Sequence, residues 1–180
     1  MLKKEIDLNK EKQKIQQQEL KDVDKLMKKR AKEARELAAK NGITAIIPSP
    51  IYDKDGAIAN YEEMSAAIDK IHNQFIDQYN AAAKAGNEEL TKEIQKTLDN
   101  FDKYGEDLLK SAQRHDALQS EIEETINTLE ELEDAMEDIR IDAYVASQEA
   151  LDNLKDIKES AAELDKLFRD FDDDPLSMNR

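Results

Sequence analysis

LQSEIEETINTLEELEDAMEDIRIDAYVASQEALDNLKDIKESAAELDKLFRDF, residues 118–171, decides the fold class. Apolar or small side chains recur at Leu118, Ile122, Ile126, Leu129, Leu132, Met136, Ile139, Ala143, Ala146, Ala150, Leu154, Ile157, Ala161, Leu164, Phe168 and Phe171. Every step is three or four residues, the pattern of one buried stripe along an α-helix. No Pro or Gly interrupts it, so an unbroken helix here would run about 80 Å at 1.5 Å per residue. From Leu132 to Phe171 the mean step lies between the 3.5 of a heptad coiled coil and the 3.6 of a straight helix. The four-four step at Ala146, Ala150 and Leu154 is a stutter, and the Ala143, Ala146 and Ala150 layer lets a neighbouring helix approach closely. A seam of this length calls for partner helices, from this chain or from a neighbour.

Composition agrees with long helices buried on one face. The 180 residues are 38% charged and 39% hydrophobic, with no Trp and no Cys. A compact globule of that length would carry more apolar bulk. The lack of Cys excludes a disulfide framework, thiolate zinc sites and a Cys nucleophile. There is no apolar run of membrane-spanning length and no signal-peptide core, so a soluble chain is expected, in the cytoplasm or inside an assembled particle.

The net charge of −15 is unevenly spread. Residues 1–40 hold thirteen Lys/Arg against eight Asp/Glu, a balance of +5 that leaves −20 for the remainder. Residues 121–138 contain nine acids and no base: Glu121, Glu123, Glu124, Glu130, Glu131, Glu133, Asp134, Glu137 and Asp138. Such a surface repels nucleic acid and anionic membrane and attracts basic partners. Residues 1–41 read as a basic helical arm, with Lys10, Lys12, Lys14, Lys28, Lys29 and Arg30 as its cationic contacts. Its stripe is convincing only from Leu20 to Ala38. Between Asn9 and Glu19 the one large apolar residue is Ile15, so that half is expected to project.

Asn41-Gly42 closes the arm, since Gly adopts the left-handed conformation that ends a helix. Residues 42–59 form the non-helical segment. Ile43, Ile46 and Ile47 favour extended backbone, Pro48 and Pro50 forbid helix, and the Asp53-Lys54-Asp55-Gly56 turn would let Ile51 pair with Ile58. So apolar a loop is expected to pack across one end of a bundle or to dock on another protein. Residues 60–172 then read as a helical hairpin or bundle, with helices at about 61–85, 88–104 and 106–171. Asn60 and Glu63 resemble a capping box, and Gly86 with Asn87 marks a tight connection. Gly105 divides the last two helices by sequence, although a lone Gly costs only about 1 kcal/mol against Ala and continuity with a local bend is expected. Residues 173–180 are an acidic tail, and Asp172, Asp173, Asp174 and Pro175 should stop the helix.

No motif carries chemistry. DKDGAIANYE sets Asp53, Asp55, Gly56, Ile58 and Glu62 at calcium-loop spacing, but the first ligand position is Ile51, and Pro48 and Pro50 exclude the entering helix. A plain turn is the better reading. His72 follows Asp69 at three residues, yet the chain lacks the Glu-x-x-His pairs of a di-iron bundle. His115 sits between Arg114 and Asp116 on what should be an exposed face. Lys28-Lys29-Arg30 lies among acids with no aromatic to stack a base, so nucleic acid is not expected except through the arm. There is no glycine-rich phosphate loop and no serine in a nucleophile elbow. No catalytic residue, cofactor or metal ligand is assigned.

The fold is therefore expected to be all-α: an elongated helical hairpin or bundle on a coiled-coil-like last helix, with a short Pro-containing extended segment and an N-terminal arm. The function expected first is that of a non-enzymatic structural or interaction subunit of a larger assembly. Phage virion, scaffold or packaged proteins and secretion-apparatus subunits share this overall character. Partner contacts are assigned to Ile43, Ile46, Ile47 and Ile51, and to the seam from Leu132 to Phe168, with the basic arm meeting acidic surface on self or neighbour. The second expectation is a small acidic helical adaptor or chaperone that binds one basic protein client.

Overall fold

The computed structural model describes residues 1–172, with side chains to Asp170. The fold is all-α: α1 is Leu2–Lys40, α2 Tyr61–Lys84 and α3 Glu88–Asp172. Among the described residues the only extended pairing is one antiparallel bridge between Tyr52 and Ile58. Asp7–Leu129 packs as one compact unit, while Met1–Ile6 groups with the chain from Glu130 onward.

Local chemistry ends the helices where turn residues stand. Gly42 and Gly86 both sit at φ 73. Behind them Ile43 N–H donates to Ala38 O and Asn87 N–H to Ala82 O, each at 3.0 Å, the six-residue closure that satisfies otherwise orphaned carbonyls. Asn87 then caps α3, its Oδ1 accepting from Leu90 N–H at 3.1 Å.

Three helices share one core in the Asp7–Leu129 unit. Met27, Ala31, Ala34 and Ala38 of α1 meet Met64, Ile68, Ile71 and Phe75 of α2 and Leu98, Phe101, Leu108 and Ala112 of α3. The alanine stripe on α1 lets it lie close, and the Phe75 and Phe101 rings tilt together at 5.4 Å. Contacts from Tyr61–Gln113 through Ile68–Gly105 to His72–Asp102 run in opposite directions along α2 and α3, so that pair is antiparallel. Gln16–Thr125, Glu19–Arg114 and Arg30–Asp107 give the same result for α1 and α3. It follows that α1 and α2 are parallel. Their link must travel back over α2, about 36 Å at 1.5 Å per residue, which takes about eleven extended residues.

That return path corrects the expectation for residues 42–59. The segment does not cross an end of the bundle. It runs antiparallel along α1, held by Arg35 Nε donating to Ile47 O at 2.7 Å and, farther back, by Tyr52 OH donating to Asp24 Oδ1 at 3.0 Å. Ile43, Ile47 and Ile58 enter the core, and Ile46 and Ile51 stay exposed. The hairpin is one residue out from the Ile51–Ile58 pairing, because Asp53 Oδ1 collects the amides of Asp55 and Ala57 and fixes a turn around Gly56. Asn60 does not cap α2 with its side chain. Its amide braces the connector on either side of Pro50, donating to Ser49 O at 2.9 Å and accepting from Ile51 N–H at 2.7 Å.

One further expectation changes. Residues 9–19 do not project: Gln16 is buried, and Thr125 Oγ1 donates to its Oε1 at 2.9 Å. A stripe count that scores only apolar residues misses a helix face held by a polar pair. The continuity expected through Gly105 is found: the segments at 88–104 and 106–171 are one helix. The glycine serves close approach, since a Cβ there would stand 2.9 Å from Ile68 Cγ2.

Candidate interaction surface

The sixteen-position stripe divides near residue 130. Leu118, Ile122 and Leu129 are buried in the Asp7–Leu129 unit. Leu132 and Met136 are half-buried in the unit that also holds Met1–Ile6. From Glu137 to Asp170 every residue is exposed. Ile139, Ala143, Ala146, Ala150, Leu154, Ile157, Ala161, Leu164 and Phe168 thus present an uncovered apolar line. The Phe171 side chain and the acidic tail, with Asp173, Asp174 and Pro175, lie outside what is described.

Large apolar side chains off the stripe are exposed too. Ile141, Tyr144, Val145, Leu151 and Leu167 bring the set between residues 139 and 168 to ten, each 47% to 66% exposed. Periodicity alone could not find them, because they stand outside the three-four spacing. Their signal was density: Ile139 to Val145 holds five apolar or aromatic residues in seven, on a chain of mean hydropathy −0.84. An exposed apolar run of this size on so polar a chain is a candidate contact surface.

The extended segment contributes less than its composition suggests. Ile43 and Ile47 serve the chain's own core and are not free to dock, which corrects that part of the expected contact set. Ile46 and Ile51 remain on the surface.

Charged residues sort in the same way. Glu124, Glu130, Glu131, Asp134, Glu137 and Asp138 are exposed. Glu121 is half-buried and bound to Arg114 at 3.3 Å, and Arg114 also grips Glu19 at 2.6 Å. Glu137 has Arg140 at 3.8 Å. On α1, Lys10, Lys12, Lys14 and Lys29 are exposed, and Lys28 reaches Asp24 at 2.9 Å. Arg30 is not a free cation. It binds Glu33 at 3.0 Å and Asp107 at 3.2 Å, and its guanidinium lies 5.6 Å from the Tyr104 ring centre.

The histidines brace the fold. His72 Nδ1 meets Asp102 Oδ1 at 2.6 Å across α2 and α3. His115, expected on an exposed face, is buried, with its ring 5.3 Å from that of Tyr52. Its neighbour Asp116 accepts the Ile58 amide at 3.0 Å. Burial, the hydrogen bond to Asp24 and the nearby carboxylates push the Tyr52 hydroxyl up to about 12. Burial would raise Asp24 as well, but hydrogen bonds from Lys28 and Tyr52 outweigh it and hold that carboxyl below its ordinary value. These groups fasten the connector to α1 and α3. The hollows beside the α2–α3 turn are open and mix alanines, Tyr79, Leu90 and Ile94 with polar side chains such as Gln78, Glu88 and Lys92. Among the described residues no group of three or more His, Asp and Glu side chains is placed to hold a metal ion, and no helix is long and apolar enough to cross a membrane.

No family model matches the sequence, and no curated protein and no solved structure matches the chain.

Proposed function

We propose that this chain is a non-enzymatic structural or interaction subunit that enters a larger assembly through the C-terminal part of α3. The observation that carries the reading is the uncovered apolar line from Ile139 to Phe168. A solitary helix gains little from propensity alone, and most helical stability comes from a packed face. Along residues 137–170 the ion pairs described are Glu137–Arg140 and Asp165–Arg169, each worth a few tenths of a kcal/mol on an exposed helix. Those pairs add little, and a partner packed on the stripe would supply the apolar burial that this face lacks. Virion, scaffold or packaged proteins and secretion-apparatus subunits are the kinds of assembly this character suits.

The test compares the chain with a variant carrying Ile139→Lys, Leu154→Lys and Leu164→Lys, each followed in extracts of its native source by native-mass separation. The wild-type chain should travel in a complex well above its own mass, and the variant should travel as the free chain. A wild-type chain found free in the extract overturns the proposal.

The exposed acids from Glu130 to Asp138 favour a second reading, a helical adaptor that clamps one basic client. It requires one client at fixed stoichiometry, with binding that weakens steeply as salt rises. The stripe variant should leave that binding intact, which separates the two readings.

A further inference from the structure

The uncovered line on α3 has a direction written into its flanks. At about 100° per residue, Ile139, Ala143, Ala146, Ala150, Leu154, Ile157, Ala161, Leu164 and Phe168 fall within roughly 80° of the helix circumference. Of the bases between residues 140 and 170, Arg140, Lys158 and Arg169 flank one side of that arc, and Lys155 and Lys166 lie farther round on the same side towards the back. Seven of the eight acids in the same span, Asp142, Glu149, Asp156 and Glu163 among them, fall on the other side or across the back. The exception, Asp165, is bound by Arg169 at 2.9 Å. The helix thus has its apolar line in front, cations on one flank beside Leu151 and acids on the other beside Leu167.

Resting on the assembly reading above, we infer that the occupant of this line is a second copy of the same chain, lying parallel and in register. Two parallel copies related by a two-fold axis along the helices bring the basic flank of each beside the acidic flank of its partner. Two antiparallel copies would set basic against basic and acidic against acidic. Flank charges of this kind fix partner orientation in coiled coils. Packing does not choose between the two, since the alanines can meet alanines either way. The Glu130–Asp138 blocks also come side by side in the parallel pair. They are exposed charges spread around the helix, beyond the seam, and screening over about 8 Å at physiological salt limits their opposition. An unrelated basic helix would complement the acidic flank only and would offer no counterpart to Arg140, Lys158 and Arg169 on the other.

The chain has no Cys, so introduced thiols report alone. Full-length chains carrying Ala143→Cys or Ala161→Cys are mixed, oxidised mildly and digested, and the linked peptides are identified by mass. Sedimentation equilibrium of the wild-type chain at micromolar to hundred-micromolar concentration should reach twice the 20.6 kDa chain mass. The thiols should link 143 to 143 and 161 to 161. Unlike thiols would stand about 27 Å apart at 1.5 Å per residue, far beyond the span of a disulfide. Leu154→Lys should return the protein to one chain mass while the urea transition of the bundle stays unchanged. A 143–161 link overturns the parallel arrangement, and a monomer throughout the range overturns the self-pairing. A monomer that still travels in a large complex in extracts would leave the assembly reading standing and remove only this inference.

Discussion

Replacing Gly105 by Ala tests the close approach of α2 and α3. On an isolated helix the change stabilises by about 1 kcal/mol, because glycine loses more backbone freedom on folding. Here the new Cβ would stand 2.9 Å from Ile68 Cγ2, well inside the 3.5–4.0 Å optimum for two carbons. That methyl cannot swing aside, since a β-branched side chain in a helix has one strongly preferred rotamer, and Ile68 is buried. The helices must separate, disturbing the Phe75–Phe101 contact next to the site. Overpacking of this kind costs about 1–3 kcal/mol, so Gly105→Ala should destabilise by about 1 kcal/mol net. Ile68→Ala alone should cost about 2–5 kcal/mol through the cavity it leaves. In that background the obstructing methyl is gone, and Gly105→Ala should stabilise by about 1 kcal/mol. Urea unfolding of the four proteins of the cycle therefore predicts a reversal of sign and a coupling near 2 kcal/mol. If Gly105→Ala stabilises equally in both backgrounds, α2 and α3 do not approach through this glycine and the reasoning fails.

Other expected outcomes concern the polar fastenings. Gln16→Leu or Thr125→Val alone should cost about 1–3 kcal/mol in urea unfolding, because each leaves a buried partner unpaired, while the double substitution should be close to neutral. Asn60→Ala should cost about 2 kcal/mol by releasing the connector on both sides of Pro50, with no loss of α2 helicity by circular dichroism, because the side chain is not the cap. Tyr52→Phe should cost about 1 kcal/mol near neutral pH, discounted because the ring is half exposed. The Tyr52 hydroxyl titrates at about 12 in the fold and near 10 when unfolded. Its contribution is therefore complete below pH 10 and lost as pH rises towards 12. Stability measured across that window should fall in the wild-type chain and fall less in the Phe variant. Asp24 has the opposite sign: its lowered value gives stability present above the ordinary carboxyl range and lost as pH falls through it. Lys28→Ala should flatten that acid limb.

Much of the architecture was legible in the sequence because it rests on periodicity and on turn residues. The spacing of Met64, Ile68, Ile71 and Phe75, the ends at Gly42 and Gly86, and the unbroken run after Leu118 needed no tertiary knowledge. The losses came where one residue type answers two demands. Asn60 has the sequence of a cap, but its side-chain amide is bonded to Ser49 O and Ile51 N–H and makes no bond to the first turn of α2. Gln16 and Thr125 are polar by composition and buried by partnership, a match across 109 positions that no local window contains. The return of the connector along α1 follows from two helices being parallel, and that relation is fixed only once three helices are packed.

The same helix carries two kinds of stripe, and the contrast bears on what each one contacts. Between Leu98 and Leu129 the buried face interleaves apolar residues with Gly105, Ser111, His115 and Thr125. Those residues fit particular neighbours: Ile68 at the glycine, Tyr52 at the histidine and Gln16 at the threonine. Such a face is matched to one partner in the same chain and would fit little else. From Ile139 to Phe168 the stripe is aliphatic or alanine until its final phenylalanine, with no polar residue on it to demand a particular counterpart. Its selectivity has to come from the flanks, where charge is sorted by side. A sorted flank has no function on a helix facing only water, where exposed charges gain little from neighbours on their own surface. It acquires one when a second helix lies alongside, and the identical helix in parallel is the partner that satisfies both flanks at once.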